Sequence, residues 1–307
     1  MTMGRARRRV CRVSYQSYRQ SLTRTGLRTA LWRLPVGLAL VACLTVLWAL
    51  ALSGVLSVMR GEPLPATWFD ILFSTGTPAG TVVFLGLYAG PGLATIYVAR
   101  NLHARSARSL VGPAPRTLRH FAVGVGVTVG AAVILALVSR PVYPDVEPNL
   151  PASTWALWLP LGLIAVAAQT GSEELLFRGY LQGQLAARLR SPVVWLLLPA
   201  LLFGALHYLP DVGPQVALTY VGAATLFGVL AGDLTARTGS IGAAWGIHFA
   251  NNAMAILVVA ADPALGGLAL YHSAVALETG LSDPRLIAVD LTALVGVWIL
   301  TARLLSR

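Results

Sequence analysis

The sequence predicts an all-α, polytopic membrane fold. Hydrophobic residues make up 56% of the chain and charged ones only 11%, and the mean hydropathy is +0.70, well outside the range of a soluble globular domain. The apolar residues gather in eight segments, each close to the roughly 20 residues that a helix needs to cross the hydrocarbon. Every basic residue is Arg, and nearly all the arginines lie between or beside those segments.

Residues 1–33 hold nine arginines, including Arg7, Arg8 and Arg9, and read as a basic cytoplasmic arm that faces lipid. The transmembrane domain follows over 34–307. Its spans are expected at about 36–58, 79–99, 121–139, 154–182, 193–209, 216–234, 241–260 and 286–304. The first apolar run is of full spanning length after a long basic lead, so it reads as a retained anchor and not a cleavable signal. An even number of spans puts both termini on one side. With the N-terminus inside, the arm, the 100–120 loop, the 188–190 turn, Arg237, Arg303 and Arg307 hold 19 of the 23 arginines, as cytoplasmic loops should. Arg60, Arg140 and Arg285 fall opposite, where Glu62, Asp70, Asp145, Glu147, Asp211, Asp262, Glu278 and Asp283 also gather. Both termini are therefore expected in the cytoplasm, and the location is a cell membrane.

The net charge of +11 fits that topology and attraction of the arm to anionic lipid, so no nucleic-acid partner is expected. Cys11 and Cys43, one in the arm and one in the first span, make neither a disulfide framework nor a CxxC metal motif. Glycine pairs such as Gly126 with Gly130 and Gly242 with Gly246 allow helices to approach closely in lipid.

Ionisable groups inside apolar segments are expensive and usually functional. In GSEELLFRGYL, Glu174 and Arg178 stand four apart on one helix face and can pair, while Glu173 points about 100° away and lacks that partner. The fifth segment places Phe203 and His207 one turn apart; the seventh places His248 and Asn252 on one face, with Asn251 turned elsewhere. Counted from the 188–190 turn, Glu173 and His207 both lie about 25 Å deep, so antiparallel helices can bring them together. Residues 154–189 would make a helix of roughly 54 Å, longer than the hydrocarbon, so part protrudes or the helix breaks near Pro160 or Gly162. His103, His120 and His272 fall in loops or at their edges and read as solvated, and Asp233 reads as a capping or interfacial charge.

A carboxylate beside two imidazoles and an amide suits hydrolysis of an acyl bond. Glu173 is the candidate base, His207 the group that orients water, and His248 with Asn252 the donors to an oxyanion. Glu174, Arg178 and Phe203 are the support. Glu173, His207 and His248 can instead hold Zn²⁺; the spacing contains no HExxH and leaves both routes open. Two readings from other classes are a proton or cation transporter and a non-catalytic membrane scaffold or immunity protein.

The order Glu173-Glu174-x-x-x-Arg178, Phe203-x-x-x-His207, His248-x-x-x-Asn252 resembles the CPBP family, which includes type II CAAX prenyl endopeptidases and bacteriocin-processing or abortive-infection proteins. The likeness spans about 154–260. It implies an eight-helix intramembrane endopeptidase with a conical cavity open to the cytosol, acting on a peptide or lipopeptide. It also implies that Glu173 and His207 activate water and that His248 and Asn252 form the oxyanion hole. Family members are often labelled metalloproteases; the glutamate route, with no cofactor, is favoured here.

Overall fold

The computed structural model describes residues 15–23, 27–61, 75–138, 145–261 and 263–306. Arg7, Arg8, Arg9, Cys11, Glu62, Asp70, Arg140, Asp262 and Arg307 lie outside the described residues.

The helices are α1 Gln16–Leu22, α2 Arg33–Arg60, α3 Pro78–Leu87, α4 Ala89–His103, α5 Ala107–Val111 and α6 Ala114–Val138. Then come α7 Ala152–Glu174, α8 Gln182–Arg188, α9 Pro192–Ala205, α10 Pro214–Thr238, α11 Gly242–Ala253, α12 Leu277–Ser282 and α13 Pro284–Leu305. Local chemistry sets several ends. Pro at the first position starts α3, α9, α10 and α13, where its missing N–H costs nothing. Gly61 and Gly239 close α2 and α10 in the left-handed region.

Among the described residues, six stretches are long and apolar enough to cross a membrane: Arg33–Met59, Pro78–His103, Ala114–Val138, Ala152–Arg188, Pro214–Thr238 and Pro284–Leu305. Their outer faces expose Val58, Leu137, Leu157 and Ile164, a surface that water would not tolerate over so many helices. The chain is a multi-pass membrane protein. The other two expected spans are shorter: α9 has 14 residues and α11 has 12.

Two local features depart from the sequence reading. The long fourth segment does not break at Pro160, which stays inside α7. It widens instead into a π-helical stretch, Leu175–Leu181, directly after Glu174; such π segments frequently mark functional sites. The described chain is also not purely helical. Strands β1 (Val146–Pro148), β2 (Val259–Ala260) and β3 (Tyr271–Ser273) form a small sheet in the order β1-β3-β2. Glu147 pairs with His272 in the antiparallel half, and Val259 with Tyr271 in the parallel half. Strands of two or three residues carry no periodicity from which they could be read.

α7 lies at the centre, packed on α3, α4 and α11, while α11 lies along α6 and α9 along α10. Gly242 and Gly246 make the α6–α11 seam possible, because a Cβ at either would collide with the carbonyl oxygen of Thr117 or of Phe121. The largest buried cluster joins Tyr18 and Leu22 of α1 to Val98, Phe177, Tyr180, Trp195 and Phe203. The described part of the basic arm thus packs on protein, with Tyr18 and Leu22 in the core.

Candidate functional site

Glu174 and Arg178 pair as their spacing predicts, at 3.1 Å, and both are almost wholly enclosed. The guanidinium lies 4.4 Å from the ring centre of Phe203 and 5.2 Å from that of Phe227. This stacking offsets part of the cost of dehydrating a cation. The spacing did not reveal the third member: Glu174 Oε1 also accepts from His248 Nδ1 at 2.8 Å. The π segment and α11 therefore converge on one carboxylate.

Glu173 sits on the adjoining face and has a partner that sequence reasoning missed. Its Oε1 accepts from Gln169 Nε2 at 2.7 Å. Its Oε2 is buried without a hydrogen bond, 3.6 Å from His248 Nε2. Gln169 Oε1 in turn accepts from Asn252 Nδ2 at 3.0 Å, and Asn252 Oδ1 accepts from Asn251 Nδ2 at 3.3 Å. The signal for Gln169 was an amide one turn before Glu173 on the same helix face. Alone it could not be told from any interhelical amide.

His207 lies beyond the end of α9, in the turn that follows Ala205, and not within a helix. Its Nδ1 is 2.7 Å from the carbonyl oxygen of Phe203. A carbonyl only accepts, so Nδ1 carries the proton and Nε2 is left as an acceptor in the neutral ring. The His207 ring packs on Phe203 at 4.4 Å and on Tyr220 at 5.9 Å. Phe203 also touches His248, at 5.9 Å, so the two imidazoles share one aromatic neighbour. Tyr88 and Tyr220 lie within the electrostatic reach of Glu173. The structure thus joins Glu173, Glu174, Arg178, His248, Asn252 and Gln169 in one hydrogen-bonded and ion-paired cluster. His207 reaches that cluster through Phe203.

Among the described residues, no group of three or more His, Cys, Asp or Glu side chains is arranged to hold a metal ion. Glu173, His207 and His248 do not converge as a zinc donor set in this arrangement, so no step below passes through a metal.

Other polar residues differ from their expected surroundings. His103 is buried, with Nδ1 on the Arg28 carbonyl oxygen and Nε2 on the Tyr180 hydroxyl, and His120 is also buried. His272 is half-buried in β3 and not free in solvent. Asp233 is more than an interfacial charge: it accepts from Tyr15 at 2.5 Å, from Arg237 Nε at 2.6 Å and from Trp298 Nε1 at 2.9 Å. Burial, followed by the Asp233 carboxylate, pushes the Tyr15 phenol up to about 12. Burial likewise pushes Tyr18 up to about 12 and lowers Arg105.

Comparison with known proteins points to the same stretch. Residues 153–254 match the family described as "Type II CAAX prenyl endopeptidase Rce1-like". A protein of Bacillus subtilis (strain 168), the "Uncharacterized protein YyaK", is 32% identical over 123 residues, which cover 39% of this chain and 41% of that protein. The chain thus spans about two fifths of the length of the curated relative it matches. The motif order and the family match fall on the same segment, and over residues 153–254 the chain is similar to the Rce1-like, type II CAAX prenyl endopeptidase family.

Proposed function

We propose that the protein is an intramembrane endopeptidase that hydrolyses a peptide bond of a membrane-associated substrate, with lipidated peptides among the candidates. The observation that carries this reading is the asymmetry of Glu173. One oxygen is held by Gln169, while the other is buried, unpartnered and turned toward His248. A carboxylate fixed at one oxygen and open at the other is built to take a proton.

In the proposed sequence, Glu173 Oε2 removes a proton from a water molecule that His207 Nε2 helps to orient. The resulting hydroxide attacks the scissile carbonyl. The oxyanion is met by His248 Nε2–H and by the Asn252 Nδ2 hydrogen that Gln169 does not use. Glu173 then hands its proton to the departing amine and returns to carboxylate as the C–N bond breaks. His248 has a carboxylate facing each nitrogen. When its ring is protonated, Glu173, Glu174, Arg178 and His248 together carry no net charge, the arrangement a buried cluster tolerates best.

We place the protein in the cell membrane with eight crossings, α9 and α11 with its π extension (Met254–Val258) being the two short ones. Both termini then lie in the cytoplasm, where the N-terminal arginines can meet anionic lipid.

The test uses purified protein in liposomes with membrane-proximal and lipidated peptides. Glu173→Gln and Glu173→Ala should lower cleavage by about 10²–10⁴-fold with unchanged thermal melting. Cleavage that survives Glu173→Ala removes the base assignment. Activity that persists in strong chelators and is lost in His207→Ala supports the metal-free route, whereas loss in chelators that zinc restores favours the metal. Ion flux that depends on Glu173 without hydrolysis transfers the reading to a transporter, and partner capture without either favours a scaffold.

A further inference from the structure

The geometry points to Gln169 as a positioning residue that sets the base and an oxyanion donor with one side chain, an inference that rests on the endopeptidase reading. Gln169 is 6% exposed and lies one turn before Glu173 on α7. Its Nε2 donates to Glu173 Oε1 at 2.7 Å, and its Oε1 accepts from Asn252 Nδ2 at 3.0 Å. The direction of this chain is fixed by chemistry. An ionised carboxylate only accepts, so the NH₂ end of the amide must face Glu173 and the carbonyl end must face Asn252. A primary amide is the neutral group that can serve both neighbours at once without adding charge beside Glu173.

Two consequences follow for the reacting atoms. Tying down Oε1 turns Oε2 toward the space beside His248 Nε2. Using one Nδ2 hydrogen of Asn252 directs the other away from Gln169, and Asn251 holds the opposite end of the Asn252 amide. Gln169 thereby couples α7 to α11 across the point where water and the scissile carbonyl must meet. Misplacement of catalytic groups by about 1 Å can cost about 100-fold.

The experiment compares wild type, Gln169→Leu and Gln169→Glu in liposomes with a cleavable membrane peptide, after each variant has matched wild type in thermal melting. Gln169→Leu should lower kcat by roughly 100-fold with KM within about twofold, since the residue is assigned to geometry and not to substrate binding. Gln169→Glu should retain activity at acidic pH, where its protonated carboxyl keeps one donor and one acceptor. That activity should fall as pH rises and ionisation sets a like charge against Glu173. A residue with only a packing role would give the same loss at every pH, and that result, or full kcat in Gln169→Leu, overturns the proposal. An infrared difference spectrum between wild type and Glu173→Gln supplies a readout apart from turnover. The carboxylate band of Glu173 should shift when Gln169→Leu removes the hydrogen bond, and an unmoved band also overturns the assignment. If wild type cleaves nothing, the endopeptidase reading fails, and this band still decides whether Gln169 orients Glu173.

Discussion

Among the described residues, two acid–arginine pairs share the same i, i+4 spacing, and they have come to different ends. Glu174–Arg178 is enclosed, with side-chain exposures of 0% and 2%. Its carboxylate is shared with His248, and its guanidinium is stacked on Phe203 and Phe227. Asp233–Arg237 has a shorter contact, 2.6 Å, yet its arginine is 32% exposed. Its carboxylate is shared with Tyr15 and Trp298, which tie the N-terminal helix α1 and α13 to α10. Helical spacing makes both pairs, and what arrives from elsewhere in the chain decides their use. A histidine turns one into part of a candidate reaction centre, whereas a phenol and an indole turn the other into a clasp between helices.

The sharpest way to break this contrast is to remove each arginine. Arg178→Ala leaves Glu174 buried without its cation and should cost about 3–5 kcal/mol, read as a large fall in the melting temperature in detergent together with loss of cleavage. Arg237→Ala should cost under about 1 kcal/mol, because water screens that pair. Equal losses would show that enclosure does not separate them. Next in size, Gly246→Ala should force α11 off the Phe121 carbonyl and cost about 1–3 kcal/mol while moving His248 away from Glu174. Gly126→Ala, with open space where its Cβ would stand, should melt with wild type. Smaller still, Tyr15→Phe removes one donor to Asp233 and should cost about 1.5 kcal/mol, seen as earlier proteolysis of α1.

The clasp also has a pH signature. The neutral Tyr15 and Tyr18 phenols are the forms the fold favours, since both are held at about 12 against an ordinary 10.0. Their contribution should be complete below about pH 10 and be lost as pH rises from there through about 12. Tyrosinate absorbance followed against α1 proteolysis checks this, and release of α1 at neutral pH would contradict it.

Much of the candidate site was legible because its parts obey helical periodicity. Glu174 with Arg178, and the shared face of His248 and Asn252, needed only a 3.6-residue repeat. What was not legible came from encounters between distant segments. Nothing near Gln169 says that Asn252 will meet it 83 residues away. Nothing near His103 announces the Tyr180 hydroxyl. The depth argument put His207 inside a helix, yet α9 stops two residues short, and the imidazole donates to the Phe203 carbonyl oxygen from the turn that follows. Segment hydropathy located the fold class and the six long helices; the small sheet lay below what it can resolve.

The π segment at Leu175–Leu181 has a consequence for how this chain tolerates change in length. Such a bulge holds more residues per turn than the α-helix around it, so it acts as a phase shifter between the carboxylates and the Arg188 end of the same rod. Deleting one residue other than Arg178 from 175–181 would let the α register run through and leave Gln182 to Arg188 facing nearly as they do now relative to Glu173, because the segment already holds the extra residue. Gln182, which donates to the Gly232 carbonyl oxygen, would keep that neighbour, and every motif residue would still be present.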